Sequence, residues 1–209
     1  MTLISVDMEA PAQALQGLSC RGFSLGPVVV ADFLAADECA EIIALGDTLG
    51  MKRARLSGGT AAEAIRAAGS TWFDDDTLPW FTAKMIRAIS KLSQEYFPFD
   101  LAGFDEGFQL LRYEGAAPGQ IGDYYDWHID IGASGSTITR KLSLVLQLSA
   151  PTDYKGGILE VNMDGHVRAQ SVAQGSLIAF PSFALHRVIP VVGGTRYSLA
   201  AWVHGPTFR

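Results

Sequence analysis

Cysteine is scarce in this chain. Its 209 residues hold two, Cys20 and Cys39, and neither shows metal-ligand spacing. That usage fits a reducing compartment, and Cys39, inside an expected helix, reads as a buried free thiol. Positive charge is not in excess: 16 Lys and Arg against 22 Asp and Glu leave a net charge of −6. The resulting pI of about 5.1 argues against a nucleic-acid partner. The basic cluster Lys52, Arg53 and Arg55 beside a Gly-rich loop reads as a solvated turn rather than a phosphate cradle. No apolar run approaches the ~20 residues of a membrane span. The opening "MTLISVDMEAPAQALQ" also lacks the basic start and apolar core of a secretory signal. The expectation is a cytoplasmic protein without membrane or nucleic-acid partners. Repeats and low-complexity tracts are missing too, and nothing states the oligomeric state.

What is present is core material: 48% hydrophobic and 18% charged residues suit one sizeable domain. The expected layout is an N-terminal arm over 1–26 and a single domain over 27–209. Within it, helical support covers 27–106 and a strand-rich core covers 107–205. A Val-rich strand in "GPVVVADFL" leads to a helix with Asp37 as N-cap and Gly46 or Gly50 as its stop. A second helix is predicted from Leu78 to Tyr96, with Phe81, Met85, Ile89 and Leu92 on one face and Pro98 barring its continuation. Residues 55–76 between them are rich in Gly, Ala and Ser and long for a connection, which suggests a mobile lid. Trp72, Phe73 and Asp74–Asp76 flank it as candidates to touch a substrate, or as a charged helix start. From residue 107 the period changes to short β-branched or aromatic runs separated by Gly, Pro, Asp or Ser. That pattern predicts a sandwich or barrel, and helices gathered before strands predict an α+β fold.

The chemistry concentrates in "DYYDWHIDIG", residues 123–132. Positions i and i+2 of a strand share a face, so His128 and Asp130 should project together, with Tyr124 and Asp126 behind them. Trp127 should point the other way, into packing between layers. A third ligand is available in His186, just after a strand ended by Pro181. Two neutral imidazoles and a carboxylate on one side of an ion leave its other side open, the arrangement of non-haem Fe(II) oxygenases. Zinc also accepts a His₂-carboxylate set, and a zinc hydrolase would need a general base, for which Glu160 is the candidate. Ten residues past His186, Arg196 shares a strand face with Ser198, Ala200 and Trp202 in "GGTRYSLAAW", after a Gly193–Gly194 turn. An inward arginine is costly unless it meets an anion, and its fork suits a carboxylate, to which Ser198 could add a hydroxyl. The bland alternative pairs Arg196 with a surface acid. His166 reads as a surface turn residue and His204 as a cap or rim residue.

With "RYEG…WHID", "GGILEV", "GSLIAFPSFALHRVIPV" and "GGTRYSLAAWV" in order, the chain resembles the Fe(II)- and 2-oxoglutarate-dependent dioxygenases, in their prolyl 4-hydroxylase-like branch. The resemblance extends to "VVVADFLAADECAEIIAL" and so covers most of residues 27–204. It implies a double-stranded β-helix (jelly-roll, cupin-like) core with N-terminal supporting helices. It also implies Fe(II) on His128, Asp130 and His186, O₂ at the open position, and Arg196 on the distal carboxylate of 2-oxoglutarate. Tyr113 matches a family tyrosine that helps bind 2-oxoglutarate, and ascorbate is a further cofactor candidate. Asp130, where related halogenases vacate the ligand position, implies hydroxylation of an unactivated C–H with release of succinate and CO₂. The implied substrate is a small molecule or peptide: a prolyl or other peptidyl residue, a free amino acid or a natural product. A non-catalytic jelly-roll sensor of metal or a small acid would keep the same ligands, and only turnover would separate the two.

Overall fold

The computed structural model describes residues 25–53 and 66–208. Among the described residues, two α-helices support two facing antiparallel sheets. Helix α1 (Ala36–Leu49) begins two residues earlier than Asp37 would dictate. Its N-cap is Ala35, whose backbone N–H donates to the Glu38 carboxylate at 2.8 Å. Asp37 therefore sits inside the first turn, where an acid still complements the helix dipole. Gly50 (φ 78°) ends the helix as expected. Helix α2 (Pro79–Glu95) places Pro at its first turn, where no N–H is needed, and buries Phe81, Met85, Ile89 and Leu92. Cys39 is a buried free thiol on α1, and burial pushes its pKa up to about 11. Cys20 lies outside the described residues.

The larger sheet has eight strands, seven of them in one path. In order across that path they are β1 (Val28–Val30), β11 (Leu177–Pro181), β7 (Arg140–Gln147), β13 (Val191–His204), β5 (Phe108–Glu114), β4 (Gly69–Phe73) and β2 (Lys52–Arg53). The eighth, β8 (Tyr154–Gly156), pairs with the start of β13. The smaller sheet runs β10 (Val167–Ala169), β9 (Leu159–Asn162), β12 (Leu185–Val188), β6 (Tyr124–His128), β3 (Arg66–Ala67). Two facing antiparallel sheets with helical support agree with the α+β jelly-roll expectation, although β1 precedes α1 and β2, β3 and β4 lie between the helices.

Three expectations change. The stretch proposed as a lid is in part sheet: Gly69–Phe73 pairs with β5, and Arg66–Ala67 with β6. Gly69 and Ser70 carry little strand signal alone, and the partner strand supplies it. The remainder of the lid, 55–65, and the arm up to residue 24 lie outside the described residues. Gly193–Gly194 does not start a strand but bends one. β13 is continuous from Val191 to His204, with a register shift between Val191 and Gly193 and Gly194 at φ 72°. "HRVIPVV" is not one strand either, since β12 stops at Val188 and Pro190 separates it from β13.

Strand alternation divides the core in two. Leu110, Leu142, Leu144, Leu146, Leu199, Ala201 and Val203 face the helices with Phe81 and Met85. Leu111, Tyr113, Ile178, Phe180, Ala200 and Trp202 face the smaller sheet and meet Leu159, Val161 and Val188. The candidate site lies in this second layer.

Candidate metal centre

His128 and His186 are direct cross-strand partners of β6 and β12, which brings their imidazole centroids to 4.1 Å. Asp130 lies two residues past the end of β6, so the strand alone does not aim it. Its N–H and that of Ile131 donate to the Ser182 carbonyl at 2.9 and 3.1 Å, fastening this turn to the segment between β11 and β12. One carboxylate oxygen then lies 3.7 Å from His128 Nε2 and the other 3.4 Å from His186 Nε2. One ligand atom from each residue falls within 4.8 Å of the others, so the three can hold a metal ion. All three side chains are largely covered.

Backbone contacts orient both imidazoles. His128 Nδ1 is 2.7 Å from the Asp126 carbonyl, and His186 Nδ1 is 2.9 Å from the Ala184 carbonyl. A carbonyl only accepts, so each Nδ1 carries the proton and each Nε2 lone pair faces the shared centre. The Tyr125 ring stacks on His128 at 3.4 Å, and Phe180 lies 4.8 Å from His186. Burial raises the pKa of Asp130, but His186, His128 and the Ser143 hydroxyl outweigh it and leave the carboxylate below its usual range. Ser143 Oγ donates to Asp130 at 2.6 Å. The buried indole N–H of Trp202 has no hydrogen-bond partner at ordinary geometry, and its dipole favours the same carboxylate.

Arg196 stands on the inner face of the larger sheet, opposite the sheet that carries the two histidines, and is fully buried. Its Nη1 donates to Ser198 Oγ at 3.1 Å, Nη2 donates to Gln147 Oε1, and Nε has no hydrogen-bond partner among the described residues. The guanidinium lies 5.3 Å from the Tyr113 ring. Burial pulls its pKa down, yet a guanidinium does not deprotonate in a protein. No carboxylate among the described residues pairs with it, which removes the surface-acid reading. Tyr113, His128, Asp130, His186, Ser198 and Trp202 line one inner cavity. Asp130 and Trp202 also line an outer cleft of about 990 Å³, with Trp72, Tyr125 and Arg140 on its walls. Trp72 stacks on Trp202 at 5.8 Å, and Arg140 sits 3.8 Å over the other ring of that pair, Trp202. Glu106 holds Arg140 through two hydrogen bonds of 2.6 and 2.5 Å.

The structure thus brings together all six sequence-predicted site residues. Others take different places. Asp126 is exposed and serves through its backbone carbonyl, not as an inward carboxylate. Trp127 is half-buried outside the sheet pair, under the Arg187 guanidinium at 4.6 Å, rather than between layers. Glu160 binds Arg187 at 2.7 Å and neighbours Val161, the cross-strand partner of His186, so it points away from the centre. Phe73 is core, while Trp72 faces the cleft. His166 is an exposed turn residue. His204 is buried between Thr139 and Glu106. Sequence reasoning missed Ser143, Gln147, Tyr154 and Arg140. The first two are polar residues alternating with leucines in "KLSLVLQ", a signal that was present but easily read as a solvated strand face.

Residues 108–204 match the model of the 2OG-Fe(II) oxygenase superfamily, a span that includes every candidate ligand. A PKHD-type hydroxylase of Gloeothece citriformis is 40% identical over 85 residues, covering 40% of this chain and 39% of that protein. One of Idiomarina loihiensis is 36% identical over 94 residues, covering 43% of each. The chain thus spans about two fifths of the length of these curated relatives. Among solved structures, a Pseudomonas putida prolyl-4-hydroxylase shares the fold with a TM-score of 0.66 at 24% identity, covering 87% of this chain and 93% of that one. A Trichoplax adhaerens prolyl hydroxylase, solved with a hypoxia inducible factor peptide fragment, gives 0.70 at 18% identity, covering 87% and 84%. The ligand-bearing strands thus lie inside the span that matches the 2OG-Fe(II) oxygenase superfamily, and the fold is the one found in prolyl hydroxylases of known structure.

Proposed function

We propose that the protein is a hydroxylase that binds Fe(II) through His128, Asp130 and His186 and 2-oxoglutarate through Arg196, and oxygenates an unactivated C–H bond of a prolyl, peptidyl or amino-acid-like substrate. The observation that carries this reading is Arg196: a fully buried guanidinium with no acid partner among the described residues, on the inner face of the sheet opposite the triad's histidines. Such a charge is too costly to keep unless an incoming anion completes it. The donor set fits as well. Two imidazoles with inward lone pairs and one ionised carboxylate suit Fe(II) and leave an open side. When bound, iron with 2-oxoglutarate and O₂ supplies the oxidising power that inserts one oxygen atom into the substrate and leaves succinate and CO₂.

The protein's own part is position and access. The backbone carbonyls of Asp126 and Ala184 hold the ligand tautomers, and Ser143 holds the carboxylate. Arg196, with Ser198 beside it and Tyr113 against its guanidinium, takes the distal carboxylate. The outer cleft receives the substrate against Trp72 and Trp202, flat aromatic faces that suit a proline ring or another compact apolar group. Its size and its acid-poor walls favour a peptide segment, and the relative solved with a peptide supports the same choice.

Anaerobic titration with Fe(II) and then 2-oxoglutarate should produce a weak metal-to-ligand charge-transfer band. Its absence in folded, metal-loaded protein would sink the assignment. Succinate release on adding proline-containing peptides, against none with free amino acids, identifies the substrate class.

A further inference from the structure

The dicarboxylate site proposed above depends on a charge the protein leaves unanswered, and Gln147 is the residue that leaves it so. Among the described residues the terminal nitrogens of Arg196 donate to the neutral oxygens of Ser198 and Gln147, and the Tyr154 hydroxyl also lies against the side chain. Gln147 is itself buried and faces Ser198 across the β7–β13 ladder. Its Nε2 donates to the Tyr154 hydroxyl at 2.8 Å. An amide has one donor end and one acceptor end, so committing the NH₂ to Tyr154 turns the oxygen toward Arg196. The arginine stem runs past bare backbone: a Cβ on Gly157 (φ +61°) would lie 2.9 Å from Arg196 Cδ.

Glutamate has the same shape as glutamine and would fit position 147 without repacking. It would also form a buried ion pair with Arg196 and consume the charge an incoming acid needs. We infer that Gln147 is a positioning and specificity-determining residue. Its neutrality reserves Arg196 for the distal carboxylate of the co-substrate, and its bond to Tyr154 aims the guanidinium. This inference rests on the dicarboxylate reading of the site.

The test compares two acids on the full chain loaded with Mn(II) in place of iron. These are 2-oxoglutarate and 2-oxopentanoate, which keeps the metal-binding end but lacks the distal carboxylate. Calorimetric titration should show the wild type preferring the diacid by about a hundredfold. In Gln147→Glu the preference should fall to within about threefold of unity, with 2-oxopentanoate and Mn(II) affinities unchanged. Without any acid, that variant should melt above the wild type, because the buried guanidinium has gained a counter-charge. Gln147→Met removes both hydrogen bonds but adds no charge, so it should bind 2-oxoglutarate about tenfold more weakly with 2-oxopentanoate unchanged, leaving a preference of about tenfold. A Gln147→Glu protein that retains the wild-type preference overturns the inference. So does a Gln147→Met protein that loses the preference entirely, a result that also decides the matter should the glutamate variant not fold. A wild type with no preference for the diacid would instead remove the dicarboxylate reading itself.

Discussion

The two faces of the larger sheet come from the same strands and have opposite characters. On one side of β13, Leu199, Ala201 and Val203 join an apolar layer under the helices. On the other, Ser198, Ala200 and Trp202 line the inner cavity, Arg196 lies buried beyond Ser198, and β7 adds the buried Ser143 and Gln147. The helix side gains stability from every buried methyl and ring. The inner side buries an arginine, a carboxylate and an imidazole, each costly unless paired. One layer therefore supports the desolvation of the other, and mutations on the two sides should report on different quantities.

The sharpest break between the faces is expected from Phe108→Ala. This fully buried ring packs against Phe104, Phe81 and Phe73 at 4.9, 5.0 and 5.5 Å. Its loss should cost about 4 kcal/mol in urea unfolding while the folded fraction binds Mn(II) as before. Weakened metal binding in that folded fraction would mean that the layers are not separable. Asp130→Ala should do the opposite. Mn(II) affinity should fall at least a hundredfold, about 3 kcal/mol, and metal-free stability should change by roughly 1 kcal/mol or less. A large loss of metal-free stability would show that the triad is also a structural clasp. The smallest effect belongs outside both layers, in the Glu38 contacts at the start of α1. Lys84 above all, then the Ala35 N–H, hold the Glu38 carboxyl below its usual range. A depressed carboxylate pKa stabilises the fold fully above about pH 4.5 and loses that contribution as pH falls through the native value. Glu38→Gln should thus cost under about 1 kcal/mol at neutral pH and nothing in acid, read from thermal melts across pH. A pH-independent difference would assign the effect to the cap alone.

What was legible in the residues followed from local periodicity. Alternation placed Arg196, Ser198, Ala200 and Trp202 on one face, and steps of three and four marked Phe81, Met85, Ile89 and Leu92. What was not legible depended on register between distant strands. Nothing near Gln147 announces that it faces Ser198, and nothing near His128 announces that it faces His186. The resemblance to known oxygenases bridged that second gap but not the first. Gly69–Phe73 was mistaken for part of a lid because its strand character comes from β5. Asp126 misled for another reason: alternation predicts which face a residue lies on, not whether that face is covered at the strand's end.

The buried charge at Arg196, which no acid among the described residues answers, has a consequence for the protein's lifetime. An interior cation without a counter-ion makes the empty protein less stable than it could be, so the acid that completes the site acts as a missing piece of the core. Under the proposed function, 2-oxoglutarate at a hundred times its dissociation constant adds about 2.7 kcal/mol to unfolding stability. Where proteases sample the transiently open chain, that much alters steady-state abundance several-fold. The amount of this protein in a cell would then follow its co-substrate supply, with no dedicated regulator.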